Sequence, residues 1–298
     1  MARVFSGLLI ADLGLARLVY IDTIAGTYWA TYGSGGSGMH QFFVMSAVAR
    51  DSQGRYWIVD SGNDRIVRIN DLTGAGWTTF GSSGTGVNQF SFPHGIAIDT
   101  SGSADVIYVT DVNNGRVIRF LDTNGTGWTA LGSTGTGLNQ FQTPRGIAVD
   151  SARRILVADM ENNRIVRMND ISGAGWISIG SAGAGTGQLQ FPRDVKVDDQ
   201  GRIHVADTSN HRIVRFDNMN GLNWTTFGTF GSGVNQFFSP TGIAFDINGR
   251  IYVVDSENDR LVSMSSFTGG DWTTYGSSGS GVGQFSNPVT CLPLDRAP

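Results

Sequence analysis

Apolar residues fall in short blocks of four or five, rich in Val, Ile, Leu and aromatic side chains, and Gly, Asn, Asp and Ser separate the blocks. Blocks of this length bounded by turn residues read as β-strands, and no stretch holds the 3.6-residue period of an amphipathic helix. In one representative copy the pattern predicts strand a at 47–50, a turn at 51–54 and strand b at 56–59. Loop 60–64 then leads to strand c at 66–69, and turn 70–76 to strand d at 77–80. A Gly/Ser-rich connector brings the chain to the next strand a. The unit is therefore four antiparallel strands.

The unit repeats. Trp29, Trp77, Trp128, Trp176, Trp224 and Trp272 are spaced by 48, 51, 48, 48 and 48 residues. Seventeen residues before each Trp stands an Asp (Asp12, Asp60, Asp111, Asp159, Asp207, Asp255), and five residues after each Asp stands an Arg (Arg17, Arg65, Arg116, Arg164, Arg212, Arg260). A Gln-Phe pair follows each Trp, with Gln190-Phe191 as the fifth-blade member. Then comes Pro93, Pro144, Pro192, Pro240 or Pro288, with Met45 once in that place. Repeats of about 40–50 residues with four strands each are the pattern of β-propeller blades. The predicted fold is all-β: a single six-bladed β-propeller of four-stranded antiparallel blades. Residues 289–298 supply strand a, and residues 1–33 strands b, c and d, of a shared blade 1. Blades 2 to 6 are expected at 45–81, 93–132, 144–180, 192–228 and 240–276. Closing the ring this way removes the sheet edges that invite aggregation, and both termini should meet at an a–b turn.

Composition narrows the function classes. The 42 glycines among 298 residues sit at fixed offsets, so they mark turns and not low complexity, and only 7 prolines exclude collagen. One cysteine leaves no internal disulfide and no thiolate metal cluster, and no apolar run reaches the roughly 18 residues of a membrane span. The apolar run 5–20 is broken by Asp12 and Arg17 in phase with the repeat, so it reads as blade strands and no export signal is visible. The compartment is left open, and a monomer is expected. With 21 Lys+Arg against 25 Asp+Glu, and many of the basic residues in blade-interior phase, nucleic acid is not the expected partner.

The stretch Pro-x-Gly-Ile-Ala-x-Asp, a turn, then Ile-Tyr-Val-x-Asp-x-x-Asn-x-Arg-Ile-Val resembles the NHL repeat. It is found at 93–99 with 107–118, at 144–150 with 155–166 and at 240–246 with 251–262. The resemblance covers essentially the whole chain and implies the propeller fold. Relatives of this type include protein- and RNA-binding domains, extracellular sensor domains, a zinc-dependent amidating lyase and, more distantly, calcium-dependent lactonases. Fold likeness does not choose among them.

Strand direction gathers the d–a connectors, the b–c loops and the first residues of strand a on one face, called here the mouth face. The a–b and c–d turns lie on the far face. Six equal copies of Asp and Arg suit a task needed in every blade, so they read as a structural pair, with Asn63, Asn114, Asn162, Asn210 and Asn258 shaping the b–c loop. The Gly-rich connectors, such as 81–86, open no helix and read as blade links and not as phosphate cradles.

Positions where the copies disagree carry more information, because equivalent positions share one packing demand. The residue after the Pro position reads Ser46, His94, Arg145, Arg193, Thr241 and, allowing one inserted residue, Thr290. Blades 3, 4 and 5 thus place His94, Arg145 and Arg193 on one arc of the channel mouth, against neutral hydroxyls elsewhere. Blade 5 also replaces Gly-Ile-Ala by Asp194-Val195-Lys196, and its preceding connector 180–190 reads as two residues longer. Asp194 is available to neutralise Arg145, Arg193 or Lys196. The expected ligand-binding set is His94, Arg145, Arg193, Asp194, Lys196, Ser46 and Thr241, suited to a carboxylate, phosphate or sulfate group.

No cofactor is expected. Zinc needs about three converging ligands, yet His40, His94, His204 and His211 occupy different phases. The lyase histidine set and the lactonase calcium carboxylate that the resemblance would imply are not matched. Glu161 and Glu257 on mouth-face loops remain as ligands for a hard cation such as calcium. Cys291, assigned to a Gly phase of strand a, reads as a small buried residue. The favoured function is a non-catalytic module that presents the mouth to a small anionic ligand, a peptide or a protein. The alternative is a lyase or hydrolase at the same mouth, with His94 as the proton-transfer group.

Overall fold

The computed structural model describes residues 7–294; residues 1–6 and 295–298, which include the outer ends of the predicted shared blade, lie outside the described residues. The described residues form six four-stranded antiparallel sheets in a ring. Blade 2 shows the unit: Met45–Arg50, Tyr56–Asp60, Arg65–Ile69 and Thr78–Phe80, each paired with the next in chain order. The predicted strands differ from these by one or two residues at their ends. Each innermost strand touches the innermost strand of both neighbouring blades, the last and first included, so the ring is closed.

The seam is in blade 1. Pro288–Pro293 pairs with Leu8–Asp12, which continues through Arg17–Ile21 to Trp29–Tyr32. Leu8 stands opposite Pro293, and Leu294 N donates to Gly7 O at 2.8 Å, so the two ends of the described residues meet at the a–b position. The apolar run read above as blade strands is in these two N-terminal strands, apart from its first residues, which are not described.

A radial sheet buries both faces, which explains strands that are apolar at nearly every position. Tyr56–Asp60 is buried at all five residues, as is Ile155–Asp159. Apolar side chains of the described residues gather into six clusters, each filling one gap between adjacent blades. The repeated Phe after Gln lies in these gaps: Phe42, Phe90, Phe141, Phe237 and Phe285 are fully buried, and the ring of Trp128 sits 5.4 Å from that of Phe90.

Two register expectations are corrected. In blade 5 the Gln-Phe place is held by Gln188-Leu189 and not by Gln190-Phe191, and the connector has the common length. Gly185 N donates to Gln188 Oε1 at 2.9 Å as Gly86 N does to Gln89 Oε1, and Leu189 is fully buried while Phe191 is exposed. The side-chain bond of the turn sets the register, so the second Gln falls in the next place, where Gln190 N donates to Asp207 Oδ1 at 2.6 Å. In blade 1, Pro288 faces Asp12, Thr290 faces Ala11 and Cys291 faces Ile10. Val289 therefore follows the Pro directly with no inserted residue. Thr290 holds the Gly phase, and Cys291 holds the phase of Ile96, Ile147 and Val195. Cys291 is buried there, among apolar neighbours.

Candidate functional site

The repeated Asp ends strand b in every blade and is wholly buried. In blade 4, Arg164 Nε and Asn162 Nδ2 donate to Asp159 Oδ2 at 2.8 and 2.7 Å, and Gln142 N donates to Oδ1 at 2.6 Å. The outer nitrogens of Arg164 donate to Thr136 O and Gln140 O at 2.9 and 2.8 Å, which fastens the incoming connector to strand c. The same ion pair recurs at Asp12–Arg17, Asp60–Arg65, Asp111–Arg116, Asp207–Arg212 and Asp255–Arg260. Burial pushes the Asp159 carboxyl above the ordinary aspartate range, against the pull of Asn162, the Gln142 amide and Arg164. Every acceptor is used, so this set latches blades together and offers nothing to a ligand.

Strand a opens the channel on the mouth face. Going round the ring, the residue after the Pro position is Ser46, His94, Arg145, Arg193, Thr241 and Val289. Two of these are absorbed between blades. Ser46 Oγ donates to His94 O at 2.7 Å and accepts from Ser61 Oγ at 2.7 Å, and Thr241 Oγ1 donates to Val289 O at 3.1 Å. Both hydroxyls are buried. The part of the mouth with free polar groups is the arc of blades 3, 4 and 5.

On that arc His94, Arg145 and Arg193 are half-buried, and among the described residues neither guanidinium makes a hydrogen bond or an ion pair within 4.0 Å. Arg145 Nε and His94 Nδ1 are buried without partners. Burial and the neighbouring Arg193 charge push Arg145 down to about 10, with Glu161 pulling the other way. Burial lowers Arg193 too, opposed by Glu257. Burial, then Arg145 and Arg193, hold the His94 imidazole well below its ordinary value, so it is neutral at pH 7. The two glutamates sit on exposed b–c loops, and Glu161 accepts from Gln142 Nε2 at 2.9 Å. An anion placed between the guanidiniums would gain charge-assisted hydrogen bonds and relieve repulsion at once.

Asp194 and Lys196 lie deeper. Strand a of blades 3, 4 and 6 has Gly95, Gly146 and Gly242 where Asp194 stands, and blades 2 and 1 have Ala47 and Thr290; innermost strands approach closely at the glycines, where a Cβ on Gly95 would fall 2.3 Å from Arg145 O. Asp194 Oδ1 accepts from Val195 N and Oδ2 from Ile243 N of blade 6, each at 2.9 Å, and Lys196 Nζ is 3.4 Å from Oδ1. The carboxylate thus answers Lys196 and two amides; its ion-pair partner is neither Arg145 nor Arg193. Burial drives its carboxyl upward, against Lys196 and the Ile243 amide. At this waist the channel narrows to a cavity of about 30 Å³ lined by residues of the mouth ring together with Asp194 and Lys196.

The histidines are held apart, each with its own work. His40 Nδ1 is 2.5 Å from the Tyr32 hydroxyl, His211 Nδ1 accepts from Ser239 N at 3.1 Å, and His204 Nε2 is 2.9 Å from Asp198 Oδ2. His211 does what Asp64 Oδ1 does for Phe92 N, in the same left-handed loop-end conformation. Among the described residues no group of three or more His, Cys, Asp or Glu is placed to hold a metal ion. No helix of the described residues is long and apolar enough to cross a membrane.

Sequence reasoning missed a feature of the mouth face. Phe43, Phe191 and Phe230 are exposed there, beside the b–c loops: Gly62 N donates to Phe43 O, Phe191 N donates to Asn163 Oδ1, and Phe230 stacks near His211 at 4.9 Å. The sequence register set Phe191 in the Gln-Phe pair, a place that buried Leu189 holds.

An NHL-repeat family model matches residues 141–168 and 189–216. No curated protein matches the chain. A chain of the crystal structure of a nidogen/laminin complex superposes with a TM-score of 0.71 at 17% identity, covering 96% of this chain and 97% of that one. A protein of unknown function from Bacteroides caccae gives 0.65 at 14% identity, covering 98% and 99%. A streptogramin B lyase gives 0.63 at 14% identity, covering 96% and 83%. At these identities the likeness is one of fold.

Proposed function

We propose that this NHL-repeat six-bladed propeller is a binding module, and that its channel mouth receives an acidic group of a peptide or protein partner, or a small carboxylate, between Arg145 and Arg193. The observation that carries this reading is that two half-buried guanidiniums stand within each other's field on one arc of the mouth, neither with a hydrogen bond or ion pair among the described residues. Leaving such donors unmet costs free energy that an incoming anion recovers. The exposed rings of Phe43, Phe191 and Phe230 favour a macromolecular partner around that anchor. Among fold neighbours, the nidogen/laminin structure is of a protein–protein complex. Citrate should raise the melting temperature of the wild type, and Arg145→Ala with Arg193→Ala should abolish the rise. A rise that persists in the double variant ends this reading.

A second reading has one observation behind it. His94 is neutral and its Nδ1 is unpartnered, the state a general base needs, and streptogramin B lyases share the fold. In that case a turnover is lost in His94→Ala while citrate still protects the variant from heat.

A further inference from the structure

Below the waist the channel opens again toward the far face as a funnel of about 380 Å³. Its wall includes the register position of strand a that reads Ala49, Ala97, Ala148, Lys196, Ala244 and Leu292 around the ring, each opposite the equivalent position of strand b. Five members are Ala or Leu. The sixth is lysine, and it has no packing reason to be there, since small apolar residues satisfy the position in the neighbouring blades.

The charge of the funnel is one-sided. Among the described residues its lining carries Lys196 and, at the rim, Arg50, and no carboxylate. Asp194 lines the waist and not the funnel, with both oxygens taken by main-chain amides. Lys196 approaches it only to 3.4 Å, against 2.7–2.9 Å in the blade latches, so the ammonium keeps donors for the funnel. The rest of the wall is mainly apolar, including Ile98, Val149 and Phe245. The waist, about 30 Å³, adjoins this space on the mouth side, and Lys196 lines both.

We propose that the far-face funnel is a second binding site, for a small amphipathic monocarboxylate whose apolar body lies along the strand a wall and whose carboxylate meets Lys196. An apolar cavity with one fixed cation at its apex selects both properties together: the body is drawn in by burial, and the head group is oriented by charge. The site does not depend on the mouth reading, because neither Arg145 nor Arg193 lines it.

The test is titration calorimetry with octanoate, octan-1-ol and octylammonium. Wild type should bind octanoate in preference to the other two. The double variant Asp194→Gly with Lys196→Ala restores the blade 4 pattern of Gly146 and Ala148 and removes both charges together, and it should bind octanoate at least tenfold more weakly. Ala97→Phe, which fills the funnel without touching a charge, should also weaken it. Arg145→Ala with Arg193→Ala should leave octanoate binding unchanged. The proposal is overturned if octanoate does not bind at millimolar concentration, or if octan-1-ol or octylammonium binds as well. It is equally overturned if octanoate affinity survives Ala97→Phe or is lost in the mouth variant. Thermal melts establish that each variant is folded, and should the blade 4 replica not fold, Ala97→Phe decides.

Discussion

Arg164 and Arg145 belong to the same blade and are bonded in opposite ways. Arg164 spends its guanidinium on Asp159 and on two connector carbonyls, and equivalents stand in all six blades. Arg145 makes no hydrogen bond or ion pair among the described residues, its Nε is buried, and its equivalents are serine, histidine, arginine, threonine and valine. A side chain that every blade repeats has been recruited to hold blades together. One that differs from blade to blade is released from that duty and can face a ligand. The same contrast separates Asp159, saturated by its own latch, from Asp194, which appears once and sets the waist of the channel.

The largest effect should come from the latch. Arg164→Ala leaves the Asp159 carboxylate buried and unpaired, and should cost about 3 kcal/mol in denaturant unfolding, because breaking a buried pair is worse than never having one. Arg145→Ala with Arg193→Ala should change stability by no more than about 0.5 kcal/mol, since the repulsion between them and their attraction to exposed Glu161 and Glu257 are removed together. Equal losses in the two experiments would erase the distinction between the rings.

A smaller effect is expected from pH. Burial and the two arginines depress His94 in the native state, whereas the unfolded chain returns it to its ordinary value of 6.5. Below that value the unfolded state holds the extra proton, so stability present at pH 7 is lost as pH falls toward the depressed native value. His204, also lowered by burial, adds to the same slope. His94→Gln should therefore flatten, without abolishing, the fall in melting temperature between about pH 7 and pH 5.5. An unchanged slope would place His94 outside the field of Arg145 and Arg193.

The smallest effect concerns Cys291. Burial pushes its thiol up to about 12, so the folded protein should resist iodoacetamide at pH 8 and react once unfolded in urea. Rapid native labelling would mean that the seam of blade 1 opens, unlike the other blades.

Six blades, the latch triad and the seam between the chain ends were legible in the sequence, because each depends on spacing and on residues that recur. Asp12 and Arg17 stand in phase with five later copies, and no other arrangement keeps them so. What repetition could not convey is where a bond competes with the pattern. Gln188 and Gln190 are equal candidates on paper; the amide of Gly185 chose the first, and the connector shortened accordingly. Ser46 and Thr241 were grouped with the mouth by phase, yet neighbouring carbonyls consume their hydroxyls. Lys196 shares a strand and the waist cavity with Arg193, yet it alone of the two also lines the far-face funnel. Periodicity along the chain determines which strand a residue occupies, because backbone pairing is local. Whether its polar atoms remain free is settled by side chains from adjacent blades, which approach only when the ring has closed.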